Sequence, residues 1–373
     1  MSLLFTPIAL PSPRGGLSLP NRIVVAPMCP YAAIDGHATD WHLMHWGNLL
    51  NSGAALFTIE ATAVVPEGRI TPACLGLWDD ATEGALADNL ERARKLAPHT
   101  AVCIQLAHAG RKASSALPWA GAQLLPKDQG GWQPVGPSAV SYKANELPPR
   151  EMSIADMDSV REAFVNAARR ADRMGIEAVE IHNAHGYLLH EFLSPLSNQR
   201  GDHYGGSFEN RIRYPLEVFA AVRSAFSGVL GLRISASDWV EGGWDGDQSA
   251  EFAKRLRALG CDFIHVSSGG NSPLQKIAAV PGYQVALARQ VREASGMATM
   301  AVGLITEPAH AEAILQAGDA DMVALARAFL YQPRWGWQAA ATLGGSVQAQ
   351  PAYWRCPPAG FAGIFNNTAV AVR

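Results

Sequence analysis

About eight short apolar runs punctuate the chain, each trailed by a stretch whose apolar residues recur at helical spacing. That alternation belongs to parallel strands joined by crossover helices, and about eight such units close a (β/α)8 TIM barrel, an α/β fold. The expected strands are residues 22–27, 55–61, 101–107, 178–182, 229–235, 262–267, 298–302 and 321–326. Each is nearly continuously hydrophobic, as a strand covered on both faces must be. A helix is expected over 156–174, where Met157, Val160, Phe164, Ala167 and Ala171 share a face ahead of Gly175, and another over 249–259, closed by Gly260. No polar linker separates two cores, so the 373 residues are expected to form one barrel domain, 1–373. The third crossover, 110–149, is long, rich in Gly and Pro and carries Trp119 and Trp132, which predicts a small β excursion or lid. A tail, about 348–373, is expected to leave the barrel.

Composition removes several classes of function. Hydrophobic residues make up 48% and charged residues 17%, too apolar a balance for a disordered chain. Lys and Arg number 30 against 33 Asp and Glu, with no basic run that would neutralise a row of phosphates, so nucleic acid is not an expected partner. Cys29, Cys74, Cys103, Cys261 and Cys356 are dispersed, odd in number and without CxxC spacing, which argues against a disulfide framework, a zinc site or an iron–sulfur site and fits a reducing cytoplasm. The amino terminus is broken by Pro7, Pro11 and Pro13 and does not read as a signal peptide. No apolar run reaches the ~18 residues of a membrane helix, so a soluble protein is expected.

Polar and reactive residues collect where the expected strands end: Met28 and Cys29, Glu60 and Ala61, Gln105 and His108, His182 and His185, Arg233, His265 and Ser267, Gly303, and Arg327. The carboxyl rim of a barrel is where βα loops converge on an active site. His182 and His185 allow three readings at this stage. They are a metal pair, or two donors gripping a carbonyl or nitro oxygen, or ordinary core histidines at a strand end. Metal is disfavoured because no His-x-His follows the first strand, where Pro27, Met28 and Cys29 stand. Tyr187, two residues on, is a phenol able to deliver a proton. Arg233 lies inside an apolar strand and cannot lose its proton, so it faces either a buried carboxylate or a bound anion. Arg327 and Gly303, after the last two strands, sit where barrels hold phosphate. Gln105 offers both donor and acceptor to the edge of a heterocycle. Cys29 reads as a small apolar residue, a nucleophile without a visible base, or a soft sulfur beside a redox ring.

Taken in order, Ala26-Pro27-Met28-Cys29, Glu60-Ala61-Thr62, Gln105 to Arg111, Ile181 to Pro195, Tyr204 to Arg211, Arg233-Ile234-Ser235, Ala301 to Thr306 and Ala324 to Arg327 closely resemble the Old Yellow Enzyme family. Cys29 and the His-His pair resemble its thermophilic-like branch, which includes xenobiotic reductases. The resemblance implies bound FMN, NADPH or NADH as hydride donor, and reduction of activated C=C bonds by ping-pong transfer. It implies that Pro27, Met28, Cys29, Ala61, Gln105, Arg233, Gly303, Ala326 and Arg327 hold FMN, and that Tyr31, His182 and His185 contact substrate. Arg233 would then stabilise negative charge on the ring, Cys29 would tune the ring, and Tyr187 would protonate the substrate carbon.

Two positions depart from the pattern: Asn183 stands where many relatives have a smaller residue, and Ala326 where Gly is common. In this branch a residue from a neighbouring subunit's tail can enter the substrate pocket, and Trp354 and Arg355 are the candidates, either for that role in a homodimer or higher oligomer or as plain surface tail. Two other readings stay open here: a metal-dependent barrel hydrolase built on His182 and His185, and a noncatalytic flavin-binding protein.

Overall fold

The computed structural model describes residues 2–361, 363–366 and 368. The chain opens with an antiparallel hairpin, β1 (Ile8–Leu10) and β2 (Leu17–Leu19), with Ile8 opposite Leu19. Eight parallel strands then close a barrel: β3 (Ile23–Val25), β4 (Leu56–Ala63), β5 (Ala101–Ala107), then, after a two-stranded excursion, β8 (Ala178–Asn183), β9 (Val229–Ser235), β10 (Phe263–Ser267), β11 (Ala298–Ala301) and β12 (Met322–Leu325), which pairs back onto β3. The helices are α1 (Asp40–Leu50), α2 (Asp80–Leu96), α3 (Ile154–Arg173), α4 (Leu188–Leu193), α5 (Phe208–Ala225), α6 (Gly246–Ala258), α7 (Val285–Ser295), α8 (Pro308–Gln316), α9 (Arg327–Tyr331) and α10 (Trp335–Leu343). The expected architecture is therefore observed, with strand ends differing by one or two residues.

Helix starts differ for a local reason. α3 begins two residues before 156 because Ser153 accepts from the Asp156 N–H while the Asp156 carboxylate accepts from the Ser153 N–H, a reciprocal cap. α6 begins before 249 because Asp245 caps the Gln248 N–H at 2.9 Å. The strand expected to end at Ala61 runs on to Ala63 through a register shift against β5 between Ile59 and Thr62.

Two apolar layers hold the barrel. Outside it, α3 lays Met157, Val160, Phe164, Ala167 and Ala171 against the strands as their spacing predicts. Inside, Val24, Leu56, Cys103, Phe263 and Met322 fill the amino end, and Leu10 and Leu19 of the hairpin stopper it. A side chain at Gly231 would lie 2.3 Å from the Phe263 ring, so that plug needs a glycine on β9. The apolar floor leaves the carboxyl end as the open mouth.

Residues 110–149 form single 3-10 turns, a bridge between Ser115 and Leu124, and β6 (Val135–Gly136), which pairs with β7 (Arg150–Glu151) just past the expected boundary. After α10 the chain packs its own small cluster of Trp337, Val347, Ala349 and Phe365. Residues 362, 367 and 369–373 of the expected tail lie outside the described residues. Among the described residues no helix is long and apolar enough to cross a membrane.

Candidate active site

The two-residue period of a strand decides what enters the lumen. On β8 it aims Glu180 and His182 inward, on β9 Arg233 and Ser235, and on β10 His265 and Ser267; Arg233 and His265 are register partners, as are His182 and Arg233. β8 then breaks into a tight turn. His185 adopts φ 59, a left-handed conformation that costs a non-glycine residue about 1 kcal/mol or more. The Ser235 hydroxyl accepts the His185 N–H at 2.8 Å, and Lys112 Nζ donates to the His185 carbonyl at 2.8 Å and to the Gly270 carbonyl at 3.0 Å. Those bonds hold His185 against its own preference, with its ring edge-on to His182.

The imidazoles are wired through hydrogen bonds. His182 Nδ1 accepts the Ala184 N–H at 3.2 Å, which leaves its proton on Nε2, 3.4 Å from His185 Nδ1. His185 Nε2 meets the Ser267 hydroxyl at 2.9 Å. Burial, reinforced by the charge of Arg233, pushes both histidines well below their ordinary value, so each is neutral at neutral pH. Beside them Tyr187 packs edge-on to His182 with ring centroids 5.0 Å apart, and burial raises its phenol well above 10. Its hydroxyl has no hydrogen-bond partner among the described residues and faces a cleft of about 290 Å³ that Tyr31, Lys112, Tyr142 and the excursion also line.

A larger cleft of about 640 Å³ opens along the ends of β9 to β12, lined by His185, Arg233, Gly303, Ala326 and Arg327 among others. Among the described residues Arg233 makes no hydrogen bond or ion pair, and its buried Nε is unpartnered. The structural alternative for Arg233, a pair with a buried acid, is therefore not what is found: the nearby Glu180 is committed to Gln105 and His265. Arg327 likewise has no partner among the described residues. At Gly303, φ is 123 and a side chain would lie 2.5 Å from Gln284 Nε2, so the backbone itself borders the cleft. A buried guanidinium with unused donors, a second free guanidinium and an exposed backbone edge suit a planar heterocycle carrying a phosphate, and FMN fits that set.

The remaining expected residues fall around these clefts. Pro27, Met28 and Cys29 follow β3, and Ala61 lies at the β4 register shift. Burial raises the Cys29 thiol well above 9, which disfavours a nucleophilic thiolate. Ala326 has φ −110 and ψ −91, outside both the helical and the extended regions, so a conformation that glycine adopts more easily is held here by alanine. Asn183 is fully buried with neither amide atom bonded. Within this one chain, neither Trp354 nor Arg355 is among the residues lining these two clefts: the Trp354 indole donates to the Ala349 carbonyl at 2.9 Å, and Arg355 is exposed. Among the described residues no three His, Cys, Asp or Glu side chains group as a metal would require, so His182 and His185 lack a third ligand.

Residues 3–344 match the NADH:flavin oxidoreductase / NADH oxidase family. The chain belongs to this family. It is accordingly a flavin-dependent oxidoreductase of the Old Yellow Enzyme type. Family members similar to it include an NADPH dehydrogenase of Geobacillus sp. (strain WCH70), 42% identical over 357 residues that cover 95% of this chain and 98% of that protein. An NADH:flavin oxidoreductase of Gibberella zeae is 43% identical over 352 residues, 88% of this chain and 83% of that one. Among solved structures, morphinone reductase in complex with tetrahydroNAD superposes with a TM-score of 0.74 at 28% identity, covering 94% of this chain and 93% of that one.

Sequence reasoning missed Lys112 as a brace for the turn and Glu180 as a lumen acid. The second was within reach, since a carboxylate two residues before His182 in an apolar strand must share its face.

Proposed function

We propose that this chain binds FMN across the mouth of the barrel and reduces activated C=C bonds of enones, enals and nitroalkenes, with NADPH or NADH as donor in a ping-pong cycle. The observation that carries this reading is the uncommitted, buried Arg233 bordering the same cleft as His185, whose neutral imidazole meets that of His182 at 3.4 Å. The names of the relatives, NADPH dehydrogenase and morphinone reductase, support it.

When bound, FMN would accept hydride from the nicotinamide and pass it to the electron-poor carbon of the alkene. The chain supplies the rest. Arg233 and Gln105 would hold the pyrimidine edge, Gly303, Ala326 and Arg327 the phosphate, and Pro27, Met28, Cys29 and Ala61 the flank of the ring. His182 and His185 would donate to the substrate oxygen, which drains electron density from the carbon to be attacked. Being neutral, they polarise it without surrendering a proton. Tyr187 would protonate the neighbouring carbon, and Tyr31 would bound the substrate beneath the excursion. A cytoplasmic homodimer or higher oligomer, with Trp354 or Arg355 of one protomer entering its partner's pocket, completes the proposal.

An anaerobic titration of the purified protein tests it. The flavin band near ~450 nm should bleach with NADPH or NADH and return on adding 2-cyclohexenone. A colourless protein that does not take up FMN would overturn the reading, and so would bound FMN that neither nicotinamide reduces.

A further inference from the structure

The lumen beneath the mouth contains an anion that the chemistry above does not use. Glu180 on β8 accepts from Gln105 Nε2 at 2.6 Å through one oxygen and from His265 Nδ1 at 2.8 Å through the other, and none of the three side chains is more than 2% exposed. Burial pushes the Glu180 carboxyl up, but His265, Arg233 and Gln105 together outweigh it and hold the group below its ordinary range, so it is ionised. A buried carboxylate is costly unless its oxygens are satisfied, and a barrel lumen is ordinarily filled by apolar side chains. Packing alone gives no reason for an acid here.

The geometry assigns one. A carboxylate only accepts, so the Gln105 amide has its nitrogen turned toward Glu180 and cannot flip. Its carbonyl oxygen accepts no hydrogen bond among the described residues, and its second N–H is equally uncommitted. An acceptor and a donor fixed side by side complement the imide edge of a flavin, where an N–H stands between two carbonyls. His265 braces the acid from the next strand but one and is the register partner of Arg233.

We propose that Glu180, held by His265, is a positioning residue for the cofactor. It fixes the direction of the Gln105 amide toward the pyrimidine edge, and its charge near that edge lowers the midpoint potential of the bound flavin. The inference rests on FMN occupying the cleft.

Two variants test it, with the FMN dissociation constant and the midpoint potential as readouts. In Glu180→Gln the lock and the charge are both lost, because either amide direction is then satisfied. FMN should bind about tenfold more weakly, the loss of roughly one hydrogen bond, and the midpoint should rise. The exchange Gln105→Glu with Glu180→Gln restores one amide facing one carboxylate, so thermal stability should return. It moves the charge against the ring, however, so FMN should bind weakly still and the midpoint should fall below that of Glu180→Gln. This exchange also carries the test if Glu180→Gln alone does not fold. Wild-type affinity and potential in Glu180→Gln, or their full recovery in the exchange, would make the acid purely structural and overturn the proposal. Failure of the wild-type protein to bind FMN would count instead against the functional reading.

Discussion

His182 Nε2 and His185 Nδ1 face one another at 3.4 Å with their rings 87° apart. That arrangement aims two imidazole edges at one point, and with both groups neutral it makes a site for a polarisable oxygen rather than an anion. His182→Ala or His185→Ala should leave FMN bound and slow reoxidation by 2-cyclohexenone by about 10²-fold or more, the usual cost of removing a preorganised donor. Stopped-flow measurement of the two half-reactions checks this. Unchanged reoxidation in both variants would remove the pair from the mechanism.

For both rings to donate to one oxygen, His185 must carry its proton on Nδ1, and its Nε2 must then accept. The Ser267 hydroxyl lies 2.9 Å from Nε2 and 3.1 Å from the Ile234 carbonyl, so it can turn from one acceptor to the other. Ser267→Ala removes that choice. Its KM for the alkene should rise about tenfold, roughly one hydrogen bond, while FMN affinity and flavin reduction stay as in wild type.

Much of this site was legible because a parallel barrel converts sequence order into position. Once the runs around Gln105, His182, Arg233 and Arg327 are strands, their polar ends must meet at one rim. Glu180 was legible in principle, by the same two-residue period that places His182, but it sits inside an apolar run and reads as part of it. The β1–β2 hairpin was written as Ile8-Ala-Leu10 and Leu17-Ser-Leu19 around Gly15 and Gly16, an alternating pattern with a turn between. Lys112 was not legible: its bonds to the His185 and Gly270 carbonyls span 73 and 158 residues, and only the folded excursion brings them together.

Tyr187 has a phenol raised by burial and no hydrogen-bond partner among the described residues, so it retains its proton and is free to give it to a substrate in the adjoining cleft. Tyr187→Phe keeps the ring against His182 and deletes only the proton. Alkene reduction should fall about 10²-fold while the alkene still binds, seen as an unchanged dissociation constant for a substrate-like ketone lacking the double bond. An equal loss of binding would make the hydroxyl a contact rather than an acid.

Behind the active-site turn, Glu191 is fully buried. One oxygen accepts the Arg111 N–H at 2.8 Å and the other has no partner. Burial pushes its carboxyl up to about 8, against which Arg111 and Lys112 pull only in part. Its folded value lies above its unfolded value, so its contribution to stability is complete below about 4.5 and is lost as pH rises through about 8. Glu191→Gln keeps the acceptor for Arg111 and replaces the protonated oxygen by an amide that never ionises. Chemical denaturation at pH 4.5 and pH 9 should therefore find the variant close to wild type at the lower pH and more stable than it by at least about 1 kcal/mol at the higher. Parallel stability curves for the two proteins across that window would mean that Glu191 is ionised in the fold at neutral pH, with Arg111 and Lys112 as its counter-charges.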